Sequence, residues 1–144
     1  MERYCVFACK RRVPEEWRPP FAPDEIGGHK VRLIQLPCSA KLSTINILRP
    51  FEKDIDGVLV MTCSEEECRS LEGSRRARLR VREANKALAE IGMGSCRIMI
   101  QQGGECDRET YLSAIEGLAA QIDKLEASPI NGTAAHNAEI CSTR

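Results

Sequence analysis

Apolar and polar positions alternate along this chain in blocks that switch between two periods. Residues 3–9, Arg-Tyr-Cys-Val-Phe-Ala-Cys, predict a first strand ending at Cys9. Residues 30–36, Lys-Val-Arg-Leu-Ile-Gln-Leu, predict a second, closed by Pro37-Cys38-Ser39. Val58, Leu59, Val60 and Met61 form an unbroken apolar run between a glycine and a polar cluster, the pattern of a central strand buried on both faces. Residues 95–100 predict a fourth strand. Between these runs the apolar positions repeat at helical spacing. Leu42, Ile45, Leu48 and Phe51 place one face on a helix over residues 41–54, with Ser39 as cap and a kink or early end at Pro50. Val81, Ala84, Leu88 and Ile91 mark a long helix from Ser74 to Ile91, ended by Gly92 and Gly94. A last helix, capped by Asp107 or Thr110, runs to Ala127.

Strands alternating with helices at this spacing imply parallel crossovers. The expected fold is α/β: a small three-layer domain with a four-stranded parallel sheet, flavodoxin-like or Rossmann-like. It covers residues 1–127. Residues 128–144 turn small and polar without periodicity, which predicts a disordered tail. Pro19, Pro20 and Pro23 forbid a regular helix between the first two strands, leaving room for a short one at residues 15–18. Trp17 and Phe21 are expected to fasten that passage to the body of the domain.

Composition narrows the function. The 144 residues are 42% hydrophobic and 29% charged with zero formal net charge, so no global field draws the chain to nucleic acid or an anionic membrane. No apolar run reaches the length of a spanning helix, and the N-terminus lacks an apolar signal core. A cytoplasmic protein is expected. In that reducing compartment, eight cysteines point to metal, cluster or thiol chemistry rather than to a disulfide framework.

On the expected topology, Cys9, Cys38 and Cys63 end three strands on one edge of a parallel sheet, where neighbouring strands lie about 4.8 Å apart. Cys68 adds a fourth thiol from the loop after the third strand. Cys5 forms a Cys-x-x-x-Cys pair with Cys9 but lies within its strand. Four thiolates make a tetrathiolate site for zinc or iron–sulfur. No Cys-x-x-Cys knuckle of the structural zinc kind occurs, and ligands spread over several strand ends suit an electron-transfer cluster better. Cys96 falls at the opposite edge and reads as core. Cys106 is a weaker further candidate, and Cys141 a tail thiol.

Rival readings carry less weight. Residues 63–69 match Cys-x5-Arg, the anion loop of small phosphatases, but Glu65, Glu66 and Glu67 would repel an oxyanion and no glycine shapes the loop. A thiol enzyme with Cys63 as nucleophile and Cys68 resolving it stays open, as does a zinc-stabilised interaction module. The run Arg69, Arg75, Arg76, Arg78, Arg80, Arg82 and Lys86 reads mostly as a solvated helix face able to steer an acidic partner.

The order Cys5 and Cys9, then Cys38-Ser-Ala-Lys41, then Asp56-Gly-Val-Leu-Val-Met-Thr-Cys63-x4-Cys68, then Glu72-Gly-Ser-Arg-Arg76, resembles the delta subunit of methyl-viologen-reducing hydrogenase. The resemblance runs from Arg3 to Gln102 and more weakly to Leu125, and the Cys-x4-Cys is its most specific part. It departs at Ala40 and Lys41, where the family has Gly-Arg, and at Thr62, where it has Gly. It implies a 2Fe–2S cluster held by four of Cys5, Cys9, Cys38, Cys63 and Cys68. It also implies an electron-transfer subunit without catalysis of its own. The implied partners are a hydrogenase, formate dehydrogenase or similar donor and the flavin-containing A subunit of a heterodisulfide-reductase-like complex.

Overall fold

The computed structural model describes residues 3–18, 20–37, 42–53, 55–64, 73–94, 96–103 and 107–127. Five strands form one sheet: β1 (Tyr4–Cys9), β2 (Glu25–Ile26), β3 (His29–Leu36), β4 (Gly57–Thr62) and β5 (Ile98–Gln102). Their spatial order is β2-β3-β1-β4-β5, and every pairing is parallel except β2 with β3. The four expected strands are therefore present and parallel. The fifth, β2, is a two-residue addition from a tight hairpin. Gly27 and Gly28 both take positive φ, 57° and 83°, as a two-residue hairpin turn of matching twist demands.

The two central strands β1 and β4 are buried at every residue. That is why their sequences carry apolar runs rather than alternation. One sheet face presents Tyr4, Val6, Ala8, Leu59 and Met61 to α3 (Arg108–Ala127), which answers with Tyr111, Ile115, Leu118 and Ile122. The other presents Cys5, Phe7, Val58 and Val60 to α1 (Thr44–Leu48) and α2 (Gly73–Glu90), through Ile47, Ala77, Val81, Ala84 and Leu88. Three layers result, as expected. Asn85 secures α2 to the start of β5: its side chain donates to the Ile98 carbonyl (2.9 Å) and accepts from the Ile98 N–H (3.3 Å).

Three local expectations are corrected. The helix expected over residues 41–54 is the short α1; it ends early at Pro50, as expected, in a 3-10 turn at Arg49–Lys53. Ser43 caps it by accepting from the Asn46 N–H at 3.1 Å, while Ser39 lies outside the described residues. Of the expected face, Leu42, Leu48 and Phe51 do pack in or against the core, but Ile45 is 65% exposed and Ile47 fills the core instead. Phe21 fastens nothing, at 74% exposed, whereas Trp17 is buried edge-on to Tyr111, centroids 4.9 Å apart. The tail expected from residue 128 lies outside the described residues.

Candidate functional site

A chain that runs from β1 to β3 on one side, then returns to place β4 on the other, creates a topological switch point between β1 and β4. In open parallel sheets the crevice beyond the carboxyl ends of the strands at such a point is where ligands bind. Here Cys9 is the last residue of β1 and Cys63 the first after β4. The register pairs Ala8 with Met61, so the two cysteines leave neighbouring strands one residue out of step. Each is 5% exposed, and their thiols are within hydrogen-bonding reach of one another.

Burial pushes the Cys63 thiol up from 9.0 to about 11, and the neighbouring Cys9 adds to that rise. The guanidinium groups of Arg11 and Arg12 pull in the opposite direction. Cys63 is thus protonated near neutral pH in the absence of a ligand. A nucleophilic cysteine requires the reverse, a lowered pKa. A metal or cluster supplies its own drive to deprotonate its thiol ligands.

The surroundings of the pair are hydrogen-bonded from four elements. The Ser74 hydroxyl, in the first turn of α2, donates to the Cys63 carbonyl at 2.5 Å. Gln102 at the end of β5 donates to the Ser74 carbonyl at 3.0 Å. The Gly103 N–H continues the β4–β5 ladder onto the Thr62 carbonyl at 2.9 Å, with Gly103 at φ 74°, a conformation that glycine adopts without strain. Arg12, in the 3-10 turn Lys10–Arg12 directly after Cys9, is 7% exposed and donates to the Gly103 carbonyl at 2.9 Å. Its own carbonyl accepts from the Tyr111 hydroxyl at 2.6 Å. Thr62 Oγ1 is buried here with no hydrogen-bond partner among the described residues.

Of the five cysteines expected as ligands, the structure brings Cys9 and Cys63 together. Cys38 and Cys68 lie outside the described residues, as do Cys106 and Cys141. Cys5 is elsewhere. It is buried near the start of β1 opposite Val58 and Arg32, four residues before Cys9 and so about 13 Å back along the sheet. Cys96 is buried at the opposite edge, as expected. Among the described residues, no group of three or more His, Cys, Asp or Glu could hold a metal ion. The described donors are the pair Cys9 and Cys63.

Sequence reasoning misses the supports. Arg12, Gln102, Gly103 and Tyr111 give no periodic or motif signal, although Gly103 reads as a chain break; Ser74 falls within the Glu72-Gly-Ser-Arg-Arg76 segment, but nothing there marks it as a partner of Cys63. The position of Arg12 shortly after the first strand-ending cysteine is the available clue. The basic run on α2 is mostly solvated, but Arg80 donates to the Leu42 carbonyl at 2.6 Å and anchors the segment before α1.

Proteins of known kind share this chain's sequence over most of its length. The family model for methyl-viologen-reducing hydrogenase, delta subunit, matches residues 22–126. The iron-sulfur D subunit of the F420-non-reducing hydrogenase vhu from Methanocaldococcus jannaschii is 33% identical over 100 residues, covering 69% of this chain and 75% of the relative. Its counterpart from Methanococcus maripaludis is 30% identical over the same shares. The A subunit of the ferredoxin:CoB-CoM heterodisulfide reductase from Methanosarcina mazei is 30% identical over 87 residues, 60% of this chain and 10% of that protein. With the family model spanning most of its length, the chain belongs to the methyl-viologen-reducing hydrogenase delta-subunit family.

Proposed function

We propose that this chain is an electron-transfer subunit whose carboxyl sheet edge holds a 2Fe–2S cluster on Cys9, Cys38, Cys63 and Cys68. The observation that carries the reading is the juxtaposition of Cys9 and Cys63 at the switch point, each from a different central strand. The donor set fits the group: two buried thiols side by side, with two arginines whose charge opposes the negative charge that thiolate ligands bring. Cys38 and Cys68 complete the set by their sequence positions, one just after β3 and one in the segment after Cys63. Cys5, lying well back within its strand, is left out of it.

When bound, such a cluster supplies one-electron carriage. The protein's own residues hold and bias the site. Arg12 fixes a positive charge beside the thiols, Ser74 and Gln102 tie α2 to the strand ends, and the buried sheet keeps water from the inner side. The raised Cys63 thiol disfavours the rival reading of a thiol enzyme.

The partners proposed are a hydrogenase or comparable donor and a heterodisulfide-reductase A-like subunit. The support is that a unit of this kind is a separate hydrogenase subunit in some relatives and matches a tenth of the A subunit in another. Anaerobic purification with iron and sulfide analysis tests the cofactor. A coloured protein that gives an electron paramagnetic resonance signal on reduction is expected. A colourless protein with stoichiometric zinc would overturn the assignment. Co-purification with a heterodisulfide-reductase A-like protein tests the partner.

A further inference from the structure

A second concave site lies away from the cysteine edge, on the face of the sheet covered by α1. It is a cavity of about 340 Å³ between β1, β3, α1 and the 3-10 turn Arg49–Lys53. That volume falls within the range of small-molecule sites. Its inner wall is apolar: Cys5 and Phe7 from β1, Ile34 from β3, and Ile55. Cys5, Phe7 and Ile55 are each less than a tenth exposed, so the wall is fixed core rather than adaptable surface.

The mouth has the opposite character. Arg32 comes from β3, and Arg49 and Lys53 from the two ends of the turn after α1. All three are exposed, and their side chains have no ion pair or hydrogen bond among the described residues. This contrasts with Arg3, Arg80, Arg97 and Arg108, each of which is bonded to a carboxylate or a carbonyl. A cavity of this volume is about as wide as one Debye length at physiological ionic strength, roughly 8 Å, so three like charges around it repel one another. An anion entering the mouth relieves that repulsion. Arginine forks suit phosphate or carboxylate oxygens in particular.

We infer that this cavity binds a small amphipathic anion, a phosphate or carboxylate carried on an apolar body. The anionic group meets Arg32, Arg49 and Lys53, and the body rests on Phe7, Ile34 and Ile55. The site is independent of the cysteine edge and does not depend on what that edge holds.

The test is titration of the full chain with phenyl phosphate, followed through the backbone amide signals of Arg32, Asn46 and Arg49. Inorganic phosphate and phenol serve as single-feature controls. Saturable shifts at those amides are expected, with each control binding at least tenfold more weakly. The double variant Arg32→Glu, Arg49→Glu should weaken phenyl phosphate at least tenfold. Lys53→Gln, altered only at the rim, should weaken it by less and guards against a folding defect in the double variant. Three results would overturn the inference. They are absence of saturation, equal binding by inorganic phosphate, and shifts centred on the exposed arginines of α2 instead.

Discussion

The Ser74 hydroxyl donates to the Cys63 carbonyl at 2.5 Å, so the first turn of α2 is bonded directly to the residue that follows the fully buried strand β4. Both residues are shielded from water, and neither group has solvent to fall back on. Ser74→Ala would leave a buried carbonyl unsatisfied, at a cost of about 1–3 kcal/mol. Urea unfolding of the variant should show a lower midpoint with an unchanged slope.

The position of Cys63 makes a prediction about alkaline pH for the protein without a bound cluster. Its thiol is pushed up to about 11 by burial, so the folded chain keeps a proton that the unfolded chain releases near 9.0. Stability attributable to this group is intact below the unfolded value and is lost as pH rises from there through about 11. Iodoacetamide labelling of Cys63, followed by mass spectrometry, should accelerate only near the upper value. Rapid labelling at pH 8 would contradict the buried, protonated thiol.

Arg12 sits where its charge opposes the rise at Cys63. Arg12→Gln removes the charge, and its shorter side chain also releases the Gly103 carbonyl. The labelling profile of Cys63 should move to still higher pH. In the cluster-loaded protein the reduction potential should fall, because a positive charge near the reduced, more negative form has been lost. A redox titration and the labelling profile check the same claim in two states of the protein.

Asn85 acts as a substitute strand neighbour at the start of β5 by bonding both backbone groups of Ile98. Asn85→Ala would orphan those two buried groups and should destabilise the chain by about 2–3 kcal/mol. Amide exchange at Ile98 should accelerate more than exchange along β1.

Much of this architecture is legible in the residues. The apolar run at Val58–Met61 announces a doubly buried strand because no polar residue interrupts it. Parallel strands bring their carboxyl ends to one edge, so the strand pattern is enough to place Cys9 and Cys63 on the same edge; that they are neighbours comes from the pairing of β1 with β4. The hairpin of β2 is legible in principle from Gly27-Gly28, but the proline-rich passage before it masks the signal. The exchange of Ile47 for Ile45 in α1 is not legible. A helix of one and a half turns has no sustained periodicity, and tertiary packing chose Ile47 over Ile45. Nor does composition reveal that Arg12 is buried, because its environment is built by Gly103 and Tyr111, about a hundred residues away.

On the function proposed above, the cysteines at the carboxyl edge, and not the one within the sheet, hold a cluster. Iron and sulfide content of Cys9→Ser, Cys63→Ser and Cys5→Ala, each purified anaerobically beside the parent chain, tests it most directly. Cys5→Ala should keep the parent's iron, sulfide and reduced-state resonance signal, while Cys9→Ser and Cys63→Ser should lose or alter all three. Full cluster content in both serine variants, or its loss in Cys5→Ala with the fold intact, would contradict it.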